Sequence, residues 1–431
     1  MVKKIEKYNI EIMNLLIKGI TIADTSSEFN GKTCDVRVEK GTIVEIGNNL
    51  ASQKSETVFE GNGAVLSPGF FDLNCVFGDP GLETKEDIKT GTAAAAAGGF
   101  TGIAIMPNTK PVVHSKGEVE YILNRAKGSL VDVHPIGAIS QNLEGKELAE
   151  MYDMQQAGAV AFAEAGKPIA DDGFMSRALQ YALGFGGLLF VHPENKALAG
   201  KAHVNESATT ILLGMKGIPA LAEEMQISRD IFLAEYHNAP IHISNISTAG
   251  AVALIKKAKK DGVKVTCDVA AHQLVFTEEQ LNDFDSNYKV KPPLRSKADN
   301  KALIAGLKDG TIDAISSQHR PEEIEFKNVE FEIAHYGIVA LQTVLPLLVK
   351  AGLDTALIVE KLAIAPRTLL KLAVPEIKVG VQANFTVFNP TKEWNFNNET
   401  NKSKSANSPL FNTTLKGKIE LVYNNGQYQI F

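Results

Sequence analysis

The chain has 431 residues, a formal net charge of -6, 44% hydrophobic residues and 22% charged residues. This composition predicts a globular protein with one large α/β domain and a smaller one. The lysines are scattered among acids and form no basic cluster, which argues against a nucleic-acid partner. Three widely separated cysteines make neither a disulfide framework nor a metal motif, and no segment has the length and apolarity of a membrane span. We therefore expect a cytoplasmic protein that binds no membrane.

The two ends of the chain predict one small β domain. Residues 1–12 alternate charged and apolar residues without a signal-peptide core, and we interpret them as an N-terminal extension or a mis-set start codon. Short β segments separated by Gly and Asn turns run from Asn14 to Val65, and similar segments return near the C-terminus. Because neither set alone has enough strands to bury a face, we predict a composite β-sandwich domain from residues 13–66 and 375–431.

The middle of the chain alternates strand and helix patterns. Amphipathic segments such as Lys85 to Ala97 and Leu221 to Tyr236 separate near-continuous apolar strands. This alternation predicts an α/β fold, a closed parallel (β/α)₈ TIM barrel, over residues 67–374. An open doubly wound sheet is the alternative, which the lack of a Gly-x-Gly-x-x-Gly turn after the first strand weakens. The eight predicted strands are Leu66–Val76, Phe100–Met106, Val131–Ile139, Ala159–Ala165, Gly187–His192, Ala239–Asn245, Val263–Ala270 and Ile312–Gln318.

Several short motifs resemble, in type and order, those of dihydroorotases of the long bacterial and multifunctional type, which belong to the amidohydrolase superfamily. The resemblance extends from about Met13 to the C-terminus. It implies a zinc-dependent barrel that reversibly closes and opens the dihydroorotate ring in pyrimidine synthesis. The motifs are Pro68-Gly69-Phe70-Phe71-Asp72, Asp79-Pro80-Gly81, Met106-Pro107-Asn108-Thr109, Pro292-Pro293-Leu294-Arg295 and Thr311-Ile312-Asp313-Ala314-Ile315.

Most metal ligands that the resemblance implies are replaced in this chain. The family's His-x-His pair on strand one falls on Asn74 and Val76, its strand-six histidine on Asn245, and its strand-eight aspartate, a metal ligand and general acid/base, on Gln318. A catalytic zinc site needs at least three protein ligands and an open position for water. Valine cannot ligate, and neutral amides are weak donors for zinc. We therefore predict no intact metal site, no zinc cofactor and no catalytic residue, with Gln318 at the degenerate catalytic position.

Two of the implied metal positions retain side chains that bind metals. His192 matches the strand-five histidine, and Glu164 lies near a position that is a carboxylate or a modified lysine in the family. Without partners, His192 is better interpreted as a hydrogen-bonded interior histidine. Glu164 is either a site acid or the ion-pair partner of Lys167. We expect Asn74, Asn245 and Gln318 to form a hydrogen-bonded network in the vacated site, because unpaired buried amides are costly.

Neighbouring residues offer little replacement for the lost ligands. Side chains alternate between the two faces of a strand, so Cys75, His242 and His319 are expected to face away from the barrel mouth. His272 is a candidate for the mouth. The Asp171-Asp172-Gly173 segment lacks the ligand spacing of a cation loop and is interpreted as a turn or helix cap.

Most substrate-contacting residues that the resemblance implies are also replaced. The family's arginine that binds the substrate carboxylate falls on Gly78, an asparagine falls on Lys291, and a histidine after strand eight falls on Glu322. An anionic substrate would therefore meet the acid Glu322 at a position where it requires a favourable partner. Asn108 does match a substrate-contacting position of the family, so the pocket keeps some polar character.

These replacements predict a catalytically inactive member of the family. The resemblance implies a structural or regulatory role as a partner of aspartate carbamoyltransferase, and we expect a homo-oligomer. One alternative is a hydrolase of another cyclic amide, with an atypical metal site built from His192, Glu164 and His272. A second alternative is a metal-free protein that binds a small polar ligand.

Overall fold

The computed structural model describes residues 14–54 and 56–431, so the extension proposed for residues 1–12 lies outside the described residues. Strands occur at both ends of the chain and alternate with helices between them. In chain order the strands are β1 (Leu15–Ile22), β2 (Thr33–Glu39), β3 (Thr42–Gly47), β4 (Thr57–Glu60), β5 (Val65–Pro68), β6 (Phe70–Cys75), β7 (Phe100–Ile105), β8 (Asp132–Ala138), β9 (Ala161–Ala163), β10 (Leu189–Val191), β11 (Val204–Asn205), β12 (Gly217–Ile218), β13 (Ile241–Ile243), β14 (Val265–Ala270), β15 (Ala314–Ser316), β16 (Phe385–Phe396), β17 (Thr413–Asn424) and β18 (Gln427–Ile430).

The helices lie mainly between the strands of the middle segment. A π-helical turn, Glu360–Ile364, joins the last two of them. None of the helices in the described residues has the length and apolarity that a membrane span requires. The α-helices are α1 (Ile88–Ala97), α2 (Lys116–Arg125), α3 (Met151–Ala157), α4 (Asp172–Leu183), α5 (Lys196–Ala199), α6 (Ala208–Leu212), α7 (Ala220–His237), α8 (Ala249–Lys260), α9 (Lys297–Lys308), α10 (Ile324–Lys327), α11 (Val344–Lys350), α12 (Thr355–Val359) and α13 (Ala365–Leu369).

Eight strands form the predicted barrel. Their order is β15-β14-β13-β10-β9-β8-β7-β6, and neighbouring strands pair in parallel. The first and last strands meet through a parallel bridge between Cys75 and His319, where the Val76 amide donates to the His319 carbonyl at 2.8 Å. Each of the eight predicted strand segments contains one of these strands. The predicted TIM-barrel fold is confirmed.

The first predicted strand, Leu66–Val76, is divided between two sheets. β5 pairs with β1 and β16 in the terminal sheet, whereas β6 pairs with β7 in the barrel. Gly69 separates the two strands, and a Cβ atom there would lie 2.1 Å from the Thr101 hydroxyl oxygen. The change of sheet therefore depends on the missing side chain at this position.

The terminal segments combine into one eight-stranded sheet, as the shortage of strands at each end predicts. Its order is β18-β17-β16-β5-β1-β2-β3, with β4 paired to β1, and the antiparallel β5–β16 pair joins the two ends of the chain. Leu15, Ile17, Phe385 and Tyr423 are among the fully buried residues of its core. Burying each such side chain contributes about 1.5–3 kcal/mol.

Local capping sets the starts of two barrel helices. The Asp171 carboxylate accepts from the Phe174 amide at the start of α4, so the predicted turn or cap at this segment is a helix cap. Asp87 and Thr90 form a reciprocal capping box at the start of α1. These helices pack against the outer face of the barrel. Its interior is filled by apolar side chains that include Phe71, Leu73 and Phe190.

Candidate active site

A small cavity opens at the C-terminal ends of the barrel strands, where this fold carries its functional groups. Its volume is about 60 Å³, which holds about four water molecules. The cavity brings together all six positions that correspond to the family's metal ligands, and Lys291 joins them. These residues are Asn74, Val76, Glu164, His192, Asn245 and Gln318.

An irregularity in β6 directs Asn74 and Val76 into the cavity. The pairing of β6 with β7 shifts register between Asp72 and Cys75. Leu73 packs in the barrel interior, while Cys75 belongs to the outer cluster that packs against the helices. Cys75 therefore faces away from the mouth as expected, and its thiol donates to the Asp72 carboxylate at 2.8 Å.

The three amide side chains do not form the expected network. The Asn245 side-chain oxygen accepts from the Ser316 hydroxyl at 3.1 Å, and the Gln318 amide donates to the Lys291 carbonyl at 2.8 Å. Among the contacts of the described residues, no hydrogen bond joins Asn74, Asn245 and Gln318 to one another. The predicted network is wrong, because Asn245 and Gln318 bond instead to a hydroxyl and to a backbone carbonyl that lie closer to them. Asn245 and Gln318 also have left-handed backbones, with φ of 55° and 52°, and their strands have already ended.

His242 does not face away from the barrel interior, so the parity argument is wrong at this position. Ile241 and Ile243 pack in the outer cluster, and the His242 ring between them lies 4.2 Å from the Phe190 ring inside the barrel. Alternation fails because β13 ends at Ile243, before Asn245. His319 does face away, and its Nδ1 accepts from the Ala340 amide at 3.1 Å.

His242 belongs to a buried polar cluster beneath the cavity. Its Nε2 lies 3.0 Å from one oxygen of the Asp268 carboxylate. The other oxygen accepts from the Asn245 amide at 2.8 Å and from the Ser316 hydroxyl at 3.1 Å. Both oxygens of the Asp268 carboxylate therefore have hydrogen-bond partners beneath the cavity, so Asp268 has a structural role.

His192 lies in the cavity wall, but its ring lacks the expected hydrogen bond at one nitrogen. Nε2 is buried and has no partner among the described residues. Burial, together with the positive charges of Lys291 and Arg320, lowers the pKa of His192 to about 3. The ring is therefore neutral at physiological pH, and its unpartnered nitrogen is available to a small polar molecule.

His272 is not a mouth residue. It is fully buried in the short 3₁₀ turn Ala271–Leu274, does not line the cavity, and neither ring nitrogen has a partner among the described contacts. Burial lowers its pKa to about 4. The proposed alternative metal site therefore loses one of its three residues.

Glu164 is held by Ser140 rather than by Lys167. Its two carboxylate oxygens accept from the Ser140 amide at 2.7 Å and from the Ser140 hydroxyl at 2.8 Å. The Lys167 ammonium instead donates to the Leu143 carbonyl at 3.3 Å. Burial raises the pKa of Glu164 above its ordinary value. The acid is thus engaged with a neighbouring loop and buried, which disfavours its use as a metal ligand.

The predicted substrate positions are divided between the cavity and an adjoining crevice of about 30 Å³. Gly78, Asn108 and Glu322 line the crevice, and Val76 and Arg320 line both spaces. The side-chain oxygen of Asn108 is buried without a partner among the described residues. Sequence reasoning therefore identified residues that do converge, although they form two small spaces.

The position of the family's carboxylate-binding arginine has no room for a side chain. A Cβ atom on Gly78 would lie 1.9 Å from the Leu82 carbonyl oxygen. The same turn is closed by a hydrogen bond from the Leu82 amide to the Gly78 carbonyl at 2.6 Å and by one from the Gly78 amide to the Glu86 carbonyl at 2.8 Å. The backbone itself excludes an arginine here.

Lys291 narrows the cavity through an ion pair. Its ammonium lies 2.8 Å from the Glu194 carboxylate and 5.5 Å from the centroid of the Tyr336 ring. The Tyr336 hydroxyl lies 2.9 Å from Nδ1 of His203. Because Glu194 is buried, the ion pair is partly shielded from water and holds the lysine across the mouth. Sequence reasoning missed Glu194, although it follows His192 by two residues at the same strand end.

Glu322 is similarly paired with basic side chains of this chain. Its carboxylate lies 2.6 Å from the Lys85 ammonium, 3.1 Å from Nδ1 of His335 and 3.7 Å from Nε of Arg320. These contacts fasten the loop after the last barrel strand to the loop before α1. An anionic ligand that enters the crevice therefore meets the Glu322 carboxylate, and the basic side chains nearby are already paired with that carboxylate.

The side chains at the mouth do not fit a zinc centre. No group of three or more His, Cys, Asp or Glu residues within 14–54 and 56–431 is arranged to hold a metal ion. Of the six vestigial positions, His192 and Glu164 offer donors that zinc prefers, and Ser140 occupies both oxygens of the acid.

Comparison with known proteins places this chain in a family. Residues 63–251 match the model of the dihydro-orotase-like family. The dihydroorotase of Geobacter sp. strain M21 is 43% identical over 420 residues, which cover 96% of this chain and 99% of that protein. The dihydroorotase of Acetivibrio thermocellus is 43% identical over 418 residues, covering 96% and 98%.

Solved structures support the fold. The L-hydantoinase (dihydropyrimidinase) from Arthrobacter aurescens aligns with a TM-score of 0.83 at 21% identity and covers 97% of each chain. The D-hydantoinase (dihydropyrimidinase) from Thermus sp. aligns with a TM-score of 0.78 at 22% identity, covering 96% of this chain and 95% of that one. The barrel, the terminal sheet and the close full-length relatives agree: this chain belongs to the dihydroorotase family.

Proposed function

We propose that this dihydroorotase-family protein of pyrimidine biosynthesis is catalytically inactive. The observation that carries the proposal is the donor set at the mouth, where two asparagines, a valine and a glutamine replace ligands that activate water. The remaining acid is bound by Ser140, and Gly78 leaves no space for a carboxylate-binding side chain. Loss of the metal, the base and the substrate contact together removes each requirement of the family reaction.

We further propose that the chain acts in the cytoplasm as a structural or regulatory partner of aspartate carbamoyltransferase. This role follows from the family resemblance, and an intact barrel without catalytic ligands is compatible with it. The fold presents a large rigid surface whether or not the mouth is functional.

Metal content and turnover test the inactivity. Protein purified without chelator is analysed for zinc by mass spectrometry, and ring opening and closure of dihydroorotate are followed with and without added zinc. A full-length dihydroorotase with the intact ligand set serves as the positive control. We expect well under one zinc per chain and no turnover above buffer. Stoichiometric zinc together with measurable turnover would overturn the proposal.

The partner is tested separately. The chain is mixed at micromolar concentration with aspartate carbamoyltransferase from the same organism, and the mass of the mixture is measured by size-exclusion chromatography with light scattering. We expect a complex larger than either protein and a change in carbamoyltransferase activity or stability. If the two proteins elute independently, the partnership is wrong and the inactivity still stands on its own test.

Binding of a small polar ligand is the second candidate function, and one observation favours it. The Ser244 hydroxyl and Nε2 of His192 both line the cavity, are buried and have no partner among the described residues. Two unpartnered polar groups facing one space fit a compact ligand with both donor and acceptor atoms. A melting-temperature screen with dihydroorotate, hydantoin and dihydrouracil tests this function, with Ser244→Ala as the control that should abolish any shift.

A further inference from the structure

A groove crosses the end of the barrel opposite the mouth. It runs over the N-terminal ends of four neighbouring strands, β9, β10, β13 and β14, and the segment Leu369–Lys371 at the end of α13 forms one wall. Its volume is about 720 Å³, against about 60 Å³ for the mouth. Clefts of about 300–1,000 Å³ with mainly apolar walls are the usual sites of small-molecule ligands. The groove therefore has the size of a ligand site, at the end of the barrel that does not carry the catalytic groups of this fold.

The walls of the groove are mainly apolar. Val160, Leu188 and Leu369 are partly exposed and pack against the barrel interior. Phe185 and Val263 are also partly exposed and pack against the outer cluster. All five side chains line the groove. The folded chain thus leaves apolar surface in contact with water here, and the hydrophobic effect favours a ligand that covers it.

Two tyrosines extend the apolar surface beside the groove. The rings of Tyr152 on α3 and Tyr181 on α4 lie 5.8 and 5.3 Å from the Phe185 ring. Tyr152 is 48% exposed and Tyr181 is 37% exposed. Aromatic side chains supply a large apolar area and need little ordering when they bind. The groove therefore continues into an aromatic rim that enlarges the surface available to a ligand.

Two lysines supply the charge of the groove. The Lys264 ammonium donates to the Asn238 carbonyl at 3.3 Å, and the Lys371 ammonium donates to the Gly186 carbonyl at 3.5 Å. These carbonyls belong to the loops that precede the neighbouring strands β13 and β10. Among the described residues, no Asp or Glu lines the groove, and neither lysine forms an ion pair. Both ammonium groups are therefore available to an anion.

The backbone of Lys371 adopts a conformation that usually belongs to glycine. Its φ is 57°. The turn after α13 is a Schellman motif, in which the Lys371 amide donates to the Thr368 carbonyl at 3.1 Å. The next amide, that of Leu372, donates to the Arg367 carbonyl at 2.8 Å. A side chain is disfavoured in this conformation, so the lysine costs stability here, as expected of a group that serves binding rather than folding.

We propose that this groove binds a small amphipathic anion, an apolar chain with a carboxylate head group such as a medium-chain fatty acid. The chain covers the apolar walls, and the carboxylate interacts with the two ammonium groups. Three spacings of about 4.8 Å separate the first of the four strands from the last, which gives the groove a length of about 14 Å. The site is at the N-terminal end of the barrel, so it is independent of the state of the mouth and of the function proposed above.

Isothermal titration calorimetry of the full chain with three ligands tests the proposal. Decanoate, decanol and decyltrimethylammonium have similar apolar chains and differ in charge. We expect decanoate to bind about 5-fold more tightly than decanol, because it gains two exposed charge contacts, and the cation to bind most weakly. Lys264→Glu with Lys371→Glu should reverse this order. The matched control, Lys116→Glu with Lys127→Glu, makes the same change of charge at exposed positions on and beside α2 and should leave the order unchanged.

Two further variants separate the charge contacts from the apolar contacts and from folding. Lys371→Gly suits the left-handed backbone, so it should leave the urea midpoint unchanged or raise it. The same change should weaken decanoate binding about 2-fold and leave decanol binding unchanged. Val263→Asn should weaken both ligands by the same factor, because it makes one wall polar.

Four outcomes contradict the proposal. Decanoate shows no saturable binding, or decanoate and decanol bind equally to the wild-type chain. Charge reversal at Lys264 and Lys371 leaves the order of affinities unchanged. The chain associates with vesicles of anionic phospholipid but does not bind free decanoate. Any one of these results would overturn the assignment of the groove as a site for an amphipathic carboxylate.

Discussion

Replacing Gly78 with alanine should destabilise the protein although it adds a single methyl group. The new Cβ atom would lie 1.9 Å from the Leu82 carbonyl oxygen and 3.0 Å from the Glu86 carbonyl oxygen. Both neighbours are backbone atoms, so no side-chain rotation relieves the clash. Overpacking costs about 1–3 kcal/mol, and each backbone hydrogen bond lost as the turn shifts costs about 1 kcal/mol. The turn contains two such bonds, so the expected loss is about 3–5 kcal/mol.

Urea unfolding followed by circular dichroism measures this loss as a shift of the midpoint at constant slope. Gly117→Ala is the control, because its nearest neighbouring atom would be 3.7 Å from the new Cβ and the residue lies within α2. Alanine there should be neutral or stabilising by up to about 1 kcal/mol. If Gly78→Ala is as stable as the wild type within about 0.5 kcal/mol, the backbone does not exclude an arginine, and the explanation for the missing substrate contact is wrong.

Three further changes test the description of the barrel. His272 has a pKa of about 4 in the folded chain against 6.5 when exposed, so only the unfolded chain binds the proton between these values. Stability should therefore fall by about 2 kcal/mol from pH 6.5 to pH 5. His272→Leu should remove this contribution and leave the one from His192, whose pKa is also lowered, to about 3; an unchanged pH profile would contradict the role of His272. Lys291→Met leaves the buried Glu194 carboxylate unpaired and should lower the free energy of unfolding by about 1–3 kcal/mol, measured with urea. Adding Glu194→Gln should recover part of this loss. If no stability is lost, the ion pair does not close the mouth. A quadruple variant restores the family's ligands through Asn74→His, Val76→His, Asn245→His and Gln318→Asp. It should bind zinc but still not turn over dihydroorotate. Full turnover would contradict the importance of Gly78.

The sequence predicted the barrel because its signal is repeated eight times. Alternating apolar strands and amphipathic helices such as Leu221–Tyr236 recover the order of elements even where single boundaries shift. The division of Leu66–Val76 between two sheets was missed, because the hydrophobic pattern is continuous across Gly69. Only the approach of Thr101 reveals why the chain changes sheets there.

The sequence predicted which residues lie at the barrel mouth, but not the contacts that these residues make. All six vestigial metal positions do line one cavity, since the ends of parallel strands meet at one edge. Side-chain parity failed at His242 because it assumes that the strand continues to Asn245, whereas β13 ends two residues earlier. Partners from distant segments, such as Ser140 for Glu164, leave no mark in the local pattern.

The replaced residues have acquired structural contacts of their own, and this determines how the site responds to reversal. The Gln318 amide holds the Lys291 carbonyl, and the Asn245 oxygen accepts from Ser316. Gln318→Asp removes a donor and sets a carboxylate beside a carbonyl oxygen, which is unfavourable unless a cation lies between them. Stability and metal binding are therefore coupled: restored ligands should destabilise the metal-free chain, and zinc should recover that loss. If the mouth had merely lost its ligands, reversal would not destabilise the metal-free chain, because nothing would depend on the side chains now present, and zinc would only add stability by binding.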